Sequence, residues 1–415
     1  MAKQLEYTRA VRSAKIDRMF AKPFVGAMSG HHDTVFRMAA DPSSLSSLVS
    51  GGFDGEVIHW NVLERKPRRF INAHRNAVDG CTFTPDGVAF LTASRDRTVK
   101  LWDSDSGRTI SDGREATEVL PLTEYLGDAP FADIDHHRTE QQFVTCGQQL
   151  ELWDINRSRP IQNFQWGDDS ILACRFNKVE TPLVACCMGD RGVCVYDSRT
   201  KAAHSKVIMA LSCTSLSWNP MDPNMFVCGS DDWNCYLFDL RVAGKPRHVF
   251  QGHIHPVSSV DFAPTGRSFV AGSQDCTLRI WNVNQTSKTT SAEMYHTKRM
   301  AKVSSVIWSL DNDFIFSGSE DAIVRVWKAD ASKPLRPFRG PEEQQFNYMR
   351  TLRDRYAPYE EVRRIVNQRN TPKAIRGTML RKKRIVTRDM VKEMSRKKSD
   401  VLPSLAKTKT VQSLH

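Results

Sequence analysis

His253, Ser273 and Asp275 have the composition of a serine hydrolase: a nucleophile, a base and an orienting carboxylate, as acyl transfer requires. The set is not unique in the chain. It recurs as His74, Ser94 and Asp96 and again as His296, Ser319 and Asp321, with Asp two residues after Ser each time. A catalytic constellation has no use for three copies, so the repetition points to a structural unit. The ten cysteines offer no better chemistry. No Cys-x-x-Cys occurs, and Cys146, Cys174, Cys186, Cys187, Cys194, Cys228 and Cys235 sit in strand-like runs, so they read as buried, reduced thiols. No phosphate loop, metal-ligand spacing or cofactor fingerprint occurs either, and the expectation is a protein that is not an enzyme and needs no cofactor.

The elements that must hold these residues repeat along the middle of the chain. An aromatic residue closes a β-branched strand seven times, at Trp60, Trp102, Trp153, Tyr196, Phe238, Trp281 and Trp327, with spacings of 42, 51, 43, 42, 43 and 46. An Asp stands six residues before it at Asp54, Asp96, Asp190, Asp232, Asp275 and Asp321, and only the third repeat lacks one. Segments such as FLTASRDRTVKLW and FVAGSQDCTLRIW each read strand, tight polar turn, strand, which predicts a hairpin per repeat. Upstream runs such as VSSVDFAPTGR supply a further strand that ends in turn chemistry. Gly30-His31, Ala73-His74, Gly252-His253 and Tyr295-His296 precede them in repeats one, two, six and seven.

This pattern resembles the Gly-His to Trp-Asp unit of WD repeats, whose period is about 40–45 residues. It implies an all-β, seven-bladed propeller in which Asp braces the turn between the second and third strands and His reaches it from the preceding loop. The expected structural network comprises His31, Asp54, His74, Ser94, Asp96, Asp190, Asp232, His253, Ser273, Asp275, His296, Ser319 and Asp321. The third repeat, with Gly147 and Gln148 in place of Asp, is expected to be the softest. A propeller must also close, because open sheet edges invite aggregation. After Trp327 the run KADASKPLRPFRG holds two prolines and makes a poor outer strand, whereas KPFVGAM at 22–28 precedes the first Gly-His as an outer strand would. The N-terminal stretch is therefore expected to complete the seventh blade.

Charge divides the chain into a basic helix at 1–21, a propeller at 22–340 and a basic helical domain at 341–415. The net +12 is concentrated at the ends: residues 341–415 hold 19 Lys and Arg against 8 Asp and Glu, and residues 1–22 hold 6 against 2. Helix signals run over Glu342–Arg355 and Tyr359–Arg369, then onward from Thr371-Pro372, a cap and first-turn pair. Lys382, Lys383, Arg384, Arg388, Lys392, Arg396, Lys397 and Lys398 make a cationic rod suited to phosphates or to an acidic partner, and equally to nuclear or nucleolar retention. Few aromatics interleave, so base stacking is not signalled. No apolar run of about 18 residues and no secretory signal occurs, and no membrane role is expected.

The head EYTRAVRSAKIDRMFAKPF, the internal phrases IDHHR, CGQQLELWD and YHTKRM, and the tail YAPYEEVRRIVNQRNTPKAIRG resemble the suppressor-of-fibrillarin WD-repeat family over essentially the whole chain. That resemblance implies a nuclear, nucleolar scaffold of the small-subunit processome. Its expected partners are pre-ribosomal RNA, proteins of the U-three small nucleolar ribonucleoprotein and other processome factors, and its expected role is in small-subunit rRNA processing. It implies an alternative as well, a substrate receptor of a cullin-RING ubiquitin ligase, whose adaptor contact ends in aromatic-Asp-x-Arg. Here YDSR and FDLR carry Arg199 and Arg241 with another aromatic in place of Trp, and both arginines equally read as ordinary strand-closing surface residues. Family members also carry a longer N-terminal extension, whereas five residues precede Glu6, so a contact made by that extension is expected to be missing.

Overall fold

The computed structural model describes residues 2–104, 120–164, 169–200, 203–242, 244–284, 291, 293–368, 371–381, 384–385, 387–388 and 391–392. Seven four-stranded antiparallel sheets form the seven blades. Their innermost strands are Val35–Ala40, Val78–Phe83, Asp133–His136, Ile171–Phe176, Cys213–Trp218, Val257–Phe262 and Val303–Trp308, each packed against the next and the last against the first. Every blade is covered by neighbours on both faces, so the second strand of each is buried from its second residue on rather than alternating. All six residues of Ala89–Ser94 are buried.

Closure follows the expectation from the prolines. Phe24–Ser29 pairs antiparallel with Ile323–Lys328 and becomes the outer strand of blade 7. The inner ring is tied by hydroxyls at the second position of successive inner strands. Thr214 donates to the Val257 carbonyl, Ser258 to that of Val303 and Ser304 to that of Val35, the last bond linking blade 7 to blade 1. Blade 3 has the shortest strands, from three to five residues, where most strands elsewhere have six.

The repeated Asp has a local cause. The residue after it, Gly55, Arg97, Arg191, Trp233, Cys276 or Ala322, is left-handed, with φ from +61° to +88°. That conformation is costly for any residue but glycine, and only the first turn uses one. In five of the six turns an Asp oxygen accepts the amide two residues on, at Glu56, Thr98, Gly192, Asn234 and Thr277, which pins the turn.

In the first unit, three helices among the described residues stand outside the blades: α1 (Ala2–Phe20), α2 (Gly340–Tyr356) and α3 (Glu360–Val366). They share a small core of Ala10, Leu352, Tyr356 and Val362, flanked by Tyr7, Val11 and Val366. Tyr7 donates to Glu361 over 2.7 Å, Tyr356 donates to Glu6 over 3.0 Å, and Arg353 pairs with Asp17. Arg18 grips both carboxylate oxygens of Glu293 at 3.1 Å and the Val366 carbonyl at 2.6 Å, which fastens α1 and α3 to the outer strand of blade 6. The compact unit accordingly runs from Met1 to Arg369, past the expected boundary at residue 340, and residues 370–415 form a second unit. Within that second unit a helix occupies residues 373–381.

Candidate functional site

The histidines and aspartates come together blade by blade, in different states of completeness. In blade 2, Trp102 Nε1 donates to Thr92 Oγ1 over 2.9 Å, Thr92 lies 2.8 Å from His74 Nε2, and His74 Nδ1 lies 2.9 Å from Asp96. The Thr92 hydroxyl has one proton, and with the indole already donating to it, that proton goes to His74 Nε2. His74 then carries its own proton on Nδ1, toward Asp96. Burial alone would raise the Asp96 carboxyl, but bonds from His74 and Thr98 outweigh it and hold it below the usual range.

Blade 6 has the same His and Asp, with His253 Nδ1 3.0 Å from Asp275, but Ala271 occupies the position of Thr92. His253 Nε2 and Trp281 Nε1 are both buried without a hydrogen-bond partner. Blade 1 is the converse: Ser50 joins Trp60 and His31 at 2.7 and 2.5 Å, while His31 Nδ1 has no hydrogen-bond partner and Asp54 is exposed. Burial pushes His31 down to about 4, so its neutral form holds the site. In blade 7, Trp327 donates to Ser317, but Arg325 rather than His296 binds Asp321, which corrects the expectation for His296. The geometry that holds Asp321 is a fork of two guanidinium nitrogens from the adjacent strand. Blades 4 and 5 turn their Asp to other partners, Lys206 for Asp190 and Tyr236 for Asp232.

The serines singled out from the sequence stand elsewhere. Ser273 donates to the His255 carbonyl and accepts the Asp275 amide, and Ser94 likewise joins the Asn76 carbonyl and the Asp96 amide. They close turns and do not meet the histidines, so neither forms a nucleophile–base pair. Ser319 is bonded to Asp321 and Arg325. The hydroxyls that accept from the indole are Ser50, Thr92 and Ser317, which the sequence reading missed. Each stands ten residues before its Trp, a constant offset that would have found them. Blade 3, without His or Asp, retains Thr145 under Trp153.

Two groups have metal-ligand composition. His31, Asp54 and Glu56 place ligand atoms within 4.8 Å of one another, and so do Cys187, Cys213 and Cys228. In the first, a ligating Nδ1 would require the proton on Nε2, leaving the Ser50 hydroxyl proton without the acceptor that the relay gives it. In the second, the sulfurs lie among Ala185, Val195, Leu216, Phe226 and Phe238, and burial holds the Cys187 and Cys228 thiols well above their ordinary range. Cys213 is drawn below its ordinary range instead, because hydrogen bonds with Cys187, Cys228 and the Ser215 backbone outweigh its burial.

Of the expected phosphate-contacting residues, Arg384, Arg388 and Lys392 are helical and exposed. Lys382, Lys383, Arg396, Lys397 and Lys398 lie outside the described residues. Arg199 and Arg241, on adjacent blades, are exposed and folded back as forks onto Asp197 and Asp239, with contacts of 3.1–3.2 Å. The fork from Arg199 draws the Asp197 carboxyl below its usual range.

Residues 329–412 match the Sof1-like domain, and residues 22–61, 65–103, 244–282 and 293–328 match the WD domain, G-beta repeat. A Danio rerio protein named DDB1- and CUL4-associated factor 13 is 41% identical over 370 residues, covering 89% of this chain and 81% of that protein. This chain belongs to the Sof1 family of WD-repeat proteins. Protein SOF1 of Saccharomyces cerevisiae is 36% identical, covering 89% of the chain and 79% of that protein. The Homo sapiens DDB1- and CUL4-associated factor 13 is 37% identical, with 89% and 81% covered. In this Sof1-family chain the four windows that match the repeat are those of blades 1, 2, 6 and 7, the blades with a histidine before the inner strand. The Sof1-like match begins as blade 7 ends and takes in α2, α3 and the basic helix.

Proposed function

We propose that the chain is a non-catalytic scaffold of the small-subunit processome, acting in the nucleolus with the U-three small nucleolar ribonucleoprotein in small-subunit rRNA processing. The observation that carries this reading is the cationic rod expected from the sequence, of which Arg384, Arg388 and Lys392 are helical and exposed, in a segment of net +11. Membership of the Sof1 family supports it. A rod of this kind gains affinity for a phosphate backbone by releasing counterions, with little dependence on base sequence. Residues 1–369, which keep α2 and α3 on α1, are the right truncation to test it. We expect this fragment to unfold cooperatively like the full chain but to leave the large particles in a sedimentation gradient, and the RNA that sediments with the full chain to be lost. Sedimentation of the fragment with large particles at the full chain's level would refute the proposal.

The second reading, a cullin-RING receptor, draws on the exposed Arg199 and Arg241 forks and on the name carried by the vertebrate relatives. The double variant Arg199→Ala, Arg241→Ala separates the two. If the scaffold reading is sufficient, its sedimentation with particles is unchanged.

A further inference from the structure

One face of α1 packs on α2 and α3, and the other is exposed and mixes apolar with basic residues. Ile16, Met19 and Phe20 are 55%, 76% and 69% exposed, and Arg9 and Arg12 stand among them at helical spacing. Between this face and α2 runs a groove of about 450 Å³, floored by Ile16, Phe338, Phe346 and Met349. The Phe338 and Phe346 rings pack at 5.1 Å. Its charges are unequally committed. Asp17 is taken by Arg353, and Glu342 is taken by Arg336 and the Arg339 amide. Arg9 and Arg12 have no acidic partner among the described residues.

We propose that this groove is a docking site for an acidic amphipathic helix of a partner protein. Both walls are helices, which leave no backbone edge for an extended segment to pair with. An occupant must satisfy its own backbone, as a helix does. The apolar floor calls for large aliphatic or aromatic side chains at i, i+3 or i+4 and i+7, and the two uncommitted guanidiniums call for carboxylates beside them. A nucleic-acid strand fits poorly, because the floor is partly aliphatic and two carboxylates stand in the wall. The chain's own last segment is excluded by charge, since residues 393–415 carry five Lys and Arg against two acidic residues.

The test uses the full chain and three labelled probes: a helix-forming peptide of about 18 residues, some five turns, with Leu at groove-facing positions and Glu elsewhere; its Lys-for-Glu counterpart; and a single-stranded oligouridylate. We expect the acidic peptide to bind, and Ile16→Asp to weaken it by about tenfold or more with an unchanged melting temperature. We expect the Lys peptide to bind about tenfold less tightly, and this order to reverse in the variant Arg9→Glu, Arg12→Glu. Oligouridylate binding stays the same in Ile16→Asp. Three results would overturn the proposal: no acidic-peptide binding, equal binding by wild type and Ile16→Asp, or loss of oligouridylate binding in Ile16→Asp, which would make RNA the occupant. None of these outcomes bears on the role of the basic tail, because the surfaces share no residue.

Discussion

Blades 2 and 6 carry the same signature, a histidine before the inner strand, an aspartate in the turn and a tryptophan six residues later, yet they are not built alike. Blade 2 runs an unbroken relay from indole to hydroxyl to imidazole to carboxylate. Blade 6 makes the last link and lacks the second, because Ala271 stands where Thr92 does. A motif of conspicuous residues can therefore be complete while the network is not. The missing group is a small hydroxyl inside a buried strand, and buried polar networks are sensitive to a single absent member.

The largest effect should come from breaking the intact blade. Thr92→Val keeps the shape but strands His74 Nε2 and Trp102 Nε1 together, at about 1–3 kcal/mol each, so denaturant unfolding should show a loss of about 2–6 kcal/mol. The corresponding Ala271→Val in blade 6 removes no hydrogen bond. If Thr92→Val proves no more harmful than that control, the relay is not what distinguishes the two blades.

Blade 1 adds a pH-dependent version of the comparison, because its histidine lacks the carboxylate link. His31 has a folded-state pKa of about 4, below its unfolded value of about 6.5, so the unfolded chain binds more protons between these limits. Its contribution is complete above pH 6.5 and falls as pH drops toward 4, by at most about 1.4 kcal/mol per unit. Stability of His31→Gln measured between pH 7 and 4 should have a shallower slope than wild type. Parallel curves would remove His31 as the cause.

Repair should be smaller than damage. Ala271→Ser supplies a hydroxyl that can accept from Trp281 and donate to His253, and we expect a gain of about 1–2 kcal/mol, read as a higher denaturation midpoint at unchanged slope. The smallest effect is a control that should not distinguish the blades. Arg97 and Cys276 are both left-handed turn residues, at φ of 67° and 61°, so Arg97→Gly and Cys276→Gly should each stabilise by about 0.5–1 kcal/mol. A gain confined to one of them would mean that the turns, and not only the relays, differ.

The number of blades, the bracing Asp and the closing strand were all legible, because each leaves a periodic mark or breaks one. Trp60 through Trp327 recur at the spacing of one sheet, and Pro334 and Pro337 rule out a strand where the ring needs one. The relay hydroxyls were obscured by neighbours of the same type. Ser94, Ser273 and Ser319 lie beside the Asp and draw attention, while Thr92, two residues earlier, faces the indole. Arg325 at Asp321 was hidden for a different reason: it lies only four residues on, in the strand that follows the turn, while the repeat pattern directs attention to the histidine before the inner strand. The α1, α2 and α3 assembly was not legible beyond the expectation that the N-terminal stretch completes the seventh blade. Its core joins residues some 340 apart, such as Ala10 and Leu352, and nothing periodic connects them.

The strand that closes the ring is made first and used last. Phe24 pairs with Trp327, so some 300 residues must leave the ribosome before the N-terminal strand finds its partner. At about 5–20 residues per second that is roughly 15–60 s during which six blades can form while Phe24–Ser29 waits with both edges open. Each nascent chain is thus a tethered open ring for most of its synthesis. Its yield depends on whatever occupies that strand in the interval, so slowing elongation should increase aggregation of this propeller more than of one whose closing strand lies at the C-terminus.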